Sequence, residues 1–153
     1  MLGQLALSAC VSLLTFTLHA GMTAAIVVIT NRIAHRTGHL HVVARLIPLL
    51  TVTMVALMIA HVLEIALWAA FYDFAGIVAP NVNSFEFAFE NYTALGYGDA
   101  VPGTGQRLIG PVTSLNGLLL IGWSVAIIFE VMRMAEVQFE KRPRLGGRRK
   151  RRR

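Results

Sequence analysis

The sequence predicts an all-α integral membrane protein, with three transmembrane helices and a shorter re-entrant helix between the second and third. Three observations carry this. Of 153 residues, 56% are hydrophobic and 14% charged, against about 25% charged in an ordinary soluble domain. The charges are segregated: residues 1–31 hold no Asp, Glu, Lys or Arg, and residues 46–106 hold no Lys or Arg. Nine of the fourteen basic residues crowd into 141–153. This excludes a soluble single-core enzyme, and the hydrophobicity excludes a disordered chain. The lone cysteine, Cys10, excludes an internal disulfide framework and a Cys-based zinc site.

A spanning helix needs about 20 mostly apolar residues, and three segments supply them. The first, about 5–30, carries no full charge and one internal histidine, His19. Its apolar run is too long for a signal-peptide core, and Cys10 within it reads as a buried helix residue. The second, about 46–72, holds one acid, Glu64, and one histidine, His61. The third runs from about 108 to 134 and is uncharged up to Glu130. Pro48 and Pro111 fall near the starts of these helices, where a missing N–H is tolerated.

Lys/Arg bias sets the orientation. The first connection holds Arg32, Arg36 and Arg45, and the C-terminal end holds Arg133 and the 141–153 run. The second connection, about 73–107, is free of basic residues up to Arg107. The expectation is a multi-pass protein of a plasma (bacterial inner) membrane, with the C-terminus cytoplasmic and the N-terminus and second connection outward.

That outward connection holds the chemistry. Phe85, Phe89 and Tyr92 recur at helical spacing, and Asn83 or Ser84 offers an N-cap, with Glu86 at a capping-box offset from Asn83. The spacing predicts a helix over about 84–94, half a membrane in length. Gly96-Tyr97-Gly98, just after it, would re-enter the membrane only where protein surrounds it or it lines a watery path.

Thr93-Ala94-Leu95-Gly96-Tyr97-Gly98-Asp99, flanked by this half-helix and a spanning helix, resembles the selectivity filter of the potassium-channel pore domain family. It is closest in form to the small prokaryotic type, with an extra N-terminal helix. The resemblance covers about 46–134. It implies a pore helix, a filter loop and a homotetramer, in which carbonyls of Ala94, Leu95, Gly96 and Tyr97 replace the hydration shell of K+. It implies that Tyr97 packs outward, and that Glu90 and Asp99 form a carboxyl–carboxylate contact supporting the filter, with Tyr92 beside it. Pro102 also sits at the family's offset. Gly117, with Gly122 second, matches the hinge position, and Asn116 is expected to face the cavity. Phe129 or Ile128 is a candidate apolar constriction. Ala94 and Leu95 depart from the usual Thr and Val. Losing that hydroxyl predicts K+ preference with weaker discrimination or occupancy at the innermost site.

On this reading 1–45 is an N-terminal helix with a basic connection, 46–134 the pore domain and 135–153 a disordered basic tail. The protein catalyses nothing, and K+ is its transported ion, with no cofactor expected. The tail is expected to contact anionic lipid and not nucleic acid. His61 and Glu64, at i, i+3 within a span, are functional candidates by cost alone; a structural hydrogen-bonded pair, a pH-sensing role and a metal site stay open. His19 is expected to bond to a neighbouring helix. His35, His39 and His41 read as a solvated loop cluster. The residues also leave open a weakly selective cation channel, a non-conducting subunit or scaffold, and a membrane metalloenzyme built on His19, His61 and Glu64.

Overall fold

The computed structural model describes residues 2–37, 41–97, 100–103 and 105–140. Its helices are α1 (Leu2–Arg36), α2 (Val42–Phe74), α3 (Ser84–Tyr92) and α4 (Ile109–Glu140). Three of them, α1, α2 and α4, are long and apolar enough to cross a membrane. The nine residues of α3 rise only about 14 Å at 1.5 Å each.

The long helices overrun their expected bounds at almost every end. Hydropathy marks only the stretch inside hydrocarbon, about 30 Å thick, whereas the 35 residues of α1 extend about 50 Å. Three expectations change. Pro48 lies inside α2 beyond its first turn, because the helix begins at Val42. α4 continues to Glu140, so 135–140 is helix and not tail; residues 141–153 lie outside the described residues. Cys10, expected to be buried, is exposed on α1, on an apolar helix whose neighbours cover only one side.

α2 and α4 pack on each other, and each packs on both α1 and α3; α1 and α3 do not meet. The interior falls into two apolar clusters. One surrounds α3 and is aromatic, with Trp68, Phe71, Tyr72, Phe87 and Tyr92. The other, at the opposite end of the bundle, is aliphatic, with Ile26, Leu49, Leu57 and Val131. Between the two clusters, α1, α2 and α4 each place polar side chains: His19, His61 with Glu64, and Ser124.

The turn into α3 is built from short polar contacts. Asn83 Oδ1 accepts from the Phe85 and Glu86 amides at 3.0 and 3.4 Å, the N-cap arrangement that satisfies orphan donors. Ser84 donates its hydroxyl to Asp73 on α2. The far end of α3 is held by small residues of α4. Ser114 donates to the Asn91 carbonyl at 2.6 Å, and Gly110 faces the Asn91 side chain. Gly117 lies against the Tyr92 backbone, where an added Cβ would stand 2.9 Å from the carbonyl carbon and closer still to its oxygen. Pinned at both ends, α3 buries Ser84, Phe87, Ala88 and Tyr92. Phe85 and Phe89 are exposed by about 40% each, their rings tilted against one another with centroids 6.3 Å apart.

Gly117 and Gly122 therefore differ in a measurable way. Gly117→Ala drives a side-chain atom into main chain, and we expect a loss of at least about 1–3 kcal/mol, the range for overpacking, read as a lowered melting temperature in detergent. Gly122 faces open space, and Gly122→Ala should melt about 2–4 °C above the parent, the change in helix propensity being about 1 kcal/mol in its favour.

Candidate functional site

α3 ends in a cap that shapes the loop after it. The Leu95 amide donates to the Glu90 carbonyl at 2.9 Å and the Ala94 amide to Asn91 at 3.0 Å. These are the 6→1 and 5→2 bonds of the Schellman motif, which requires a left-handed residue between them. That residue is Ala94, with φ +56°. The same motif closes α2, where Ile77 bonds back to Tyr72 and Gly76 to Asp73; there glycine takes the left-handed position, φ +59°. An alanine in this conformation costs roughly 1–2 kcal/mol that a glycine does not. Gly96, two residues on, is again left-handed at φ +54°. The described loop thus places left-handed backbone at Ala94 and Gly96 but not at Leu95 or Tyr97. Glycine takes this hand at 96 without the Cβ penalty that Ala94 bears.

The other residues expected at the loop take varied positions. Thr93 caps α3 in a helical conformation, and its hydroxyl donates back to the Phe89 carbonyl at 2.8 Å. Leu95 and Tyr97 are more than half exposed in the single chain. Glu90 is half-buried and borders a polar cavity of about 310 Å³ with Asn81, Asn83, Glu86 and Ala100. Gly98 and Asp99 lie outside the described residues, and with them the expected Glu90–Asp99 contact.

Tyr92, expected beside the Glu90–Asp99 support, lies inside the bundle. It is 1% exposed, and its hydroxyl donates to Glu64 Oε2 at 2.5 Å. Glu64 is itself fully buried and gathers a network that sequence spacing could not assemble. His19 of α1 approaches Oε1 through Nδ1 at 2.8 Å, and His61 approaches Oε2 through Nδ1 at 3.1 Å. A carboxylate only accepts, so the ring nitrogens facing it carry protons. His61 Nδ1 also lies 2.8 Å from the Tyr92 hydroxyl. On their far sides, His61 Nε2 and His19 Nε2 both face Ser124 Oγ of α4, at 2.9 and 3.4 Å. Trp123 packs beside His19 with its ring tilted, centroids 5.4 Å apart. Four helices therefore meet around one carboxylate, immediately before Thr93.

Of the proposed gating residues, Asn116 is corrected. It is 2% exposed and faces the outer helices, with its Oδ1 accepting from Trp68 Nε1 at 3.0 Å and Thr15 Oγ1 at 3.1 Å. An amide in an apolar bundle goes where donors are, and Trp68 and Thr15 supply them. Phe129 is 65% exposed, while Ile128 packs into the aliphatic cluster. His35 and His41 are exposed, and His39 lies outside the described residues. Sequence reasoning missed the small-residue line Gly110, Ser114 and Gly117; spacing of small residues along a spanning helix is the signal for such close approach.

The family model Ion_trans_2, described as an ion channel, matches residues 50–134. That stretch contains most of α2, all of α3, the loop and most of α4. No curated protein and no solved structure matches the chain.

The Glu64 network should dominate stability. Glu64→Gln leaves two imidazoles and a phenol without their carboxylate, a loss of about 3–5 kcal/mol for a broken buried pair. Tyr92→Phe removes one bond, about 0.6–2 kcal/mol. Melting of the purified protein in detergent should rank them in that order. Glu130→Gln, which breaks the half-exposed pair with Arg133 (2.8 Å), should leave the melting temperature unmoved.

Proposed function

The chain belongs to this ion-channel family, and on that premise we propose that it conducts K+ passively through loops contributed by four copies. Residues Thr93 to Asp99 form the filter, with main-chain carbonyls of Ala94, Leu95, Gly96 and Tyr97 as the ion ligands. The observation that carries this reading is the handedness of the loop: a capped half-helix delivers left-handed backbone at Ala94 and Gly96, separated by one residue of ordinary hand. The helix end contributes as well, since the last carbonyls of α3 carry partial negative charge next to the path assigned to a cation. One chain supplies one loop, and a cyclic assembly closes a ring around a shared axis. Glu90 and Asp99 support the loop, Gly117 or Gly122 is the hinge of α4, and Phe129 forms a constriction towards its cytoplasmic end.

Charge sets orientation and surroundings. No Lys or Arg lies in 46–106, whereas five of the eight acids do, so this side of the molecule repels no cation. We place the C-terminus and the 141–153 run on the cytoplasmic side of a plasma (bacterial inner) membrane, against anionic lipid. No covalent chemistry is assigned, and no cofactor is needed for conduction. A second reading, a weakly selective cation channel, is favoured by Ala94, whose methyl offers no oxygen to the innermost ion.

Flux into and out of liposomes separates these readings. K+ flux through the reconstituted protein should exceed Na+ flux about tenfold or more, equivalent to about 1.4 kcal/mol of discrimination. Gly96→Val places a β-branched residue at positive φ and should abolish it. Equal K+ and Na+ fluxes would establish the weakly selective channel. No flux from a confirmed tetramer would establish a non-conducting subunit.

A further inference from the structure

We propose that His19, His61 and Glu64 form a binding site for a divalent transition metal, of the Zn2+ or Co2+ kind, that ties α1 to α2 behind the pore loop. One donor atom from each of the three residues lies within 4.8 Å of the others. Two imidazoles and a carboxylate are a donor set that zinc takes, and imidazole suits Zn, Cu, Fe and Ni over Mg and Ca. The two bonds that converge on Glu64, 2.8 Å from His19 and 3.1 Å from His61, are close to the separation of neighbouring ligands around a tetrahedral ion, about 3.4 Å for bonds of 2.0–2.1 Å. An ion therefore takes the place of the two Nδ1 protons, each imidazole then carrying its proton on Nε2, with little movement of the helices.

The surroundings are arranged as a second layer around such a site. A metal-bound histidine needs its other ring nitrogen held by an acceptor, which fixes the tautomer and turns the ring. Both histidines direct Nδ1 at Glu64 and Nε2 at Ser124 Oγ. A hydroxyl oxygen has two lone pairs, so Ser124 accepts from both rings at once when both Nδ1 atoms hold the ion. The Tyr92 hydroxyl, 2.8 Å from His61 Nδ1 and bonded to Glu64, supplies an oxygen next to the remaining coordination position. His61 gives access: its side chain is 16% exposed, while those of His19 and Glu64 are fully buried. A bound ion would fix α1, α2 and the residue before Thr93 as one unit.

Binding is read on the metal and not on flux, so the test is independent of conduction and of selectivity. The full chain, purified in detergent and stripped with a chelator, is titrated with Co2+. We expect one ion per chain, an intense visible ligand-field absorption of tetrahedral type, and its loss on adding Zn2+. His19→Gln and His61→Gln should abolish the absorption while the helical content is retained. Ser124→Ala leaves all three ligands in place and should weaken Co2+ binding about 10–100-fold, the usual effect of losing an outer partner; it carries the test if a ligand variant does not fold. A variant with His35, His39 and His41 all changed to Gln should bind as the parent does. Failure of the parent to bind, or binding that survives His19→Gln and Ser124→Ala but is lost with the loop histidines, would overturn the proposal and leave the three residues as a hydrogen-bonded brace.

Discussion

A carboxylate in the middle of an apolar bundle must be answered from every side, and Glu64 organises this molecule around that requirement. Burying an uncompensated charge is among the costliest events in folding. Here the compensation comes from α1 through His19, from α2 itself through His61 and from α3 through Tyr92, with Ser124 of α4 holding both imidazoles from behind. Apolar packing in a membrane gives little directional preference, because lipid tails are as apolar as the side chains. Hydrogen bonds to one carboxylate do give it. They fix which faces of three long helices turn inward, and they set the height at which α3 meets them.

The apolar clusters take their places from this layer. On one side lie the rings of Trp68, Phe71, Tyr72 and Phe87, packed around α3. On the other lie Ile26, Leu49, Leu57 and Val131. α3 then needs few contacts of its own. Asn83 and Ser84 hold its start, and Gly110, Ser114 and Gly117 receive its end. The backbone of α4 comes close enough to Tyr92 that no side chain intervenes, so the loop and the third spanning helix are coupled through main chain.

The spans and the half-helix were legible because each leaves a one-dimensional trace. Missing charges mark hydrocarbon, and Asn83 marks a cap. Helix ends were less legible, since backbone pairing continues after hydropathy stops. The partnership of His19 with Glu64 left no trace, because 45 positions separate them and only the crossing of α1 with α2 brings them together. Asn116 was misplaced for a related reason. Its position along α4 was readable, but the direction of its side chain depends on where Trp68 and Thr15 stand in the neighbouring helices. Phe85, Phe89 and Tyr92 recur at helical spacing in sequence, yet of the three only Tyr92, which Glu64 holds, is buried.

The two Schellman caps bear on when, and not only how, the loop acquires its form. At α2 the left-handed position is a glycine, the residue that fits it without strain; at α3 it is Ala94. Both closing bonds of the second cap run within a single chain, so no neighbouring copy is needed to make them. The entropy of ordering Thr93 to Leu95 is therefore lost during folding of the chain, and it does not weigh against any later association. A single chain therefore has the entrance to its loop set before it meets any partner.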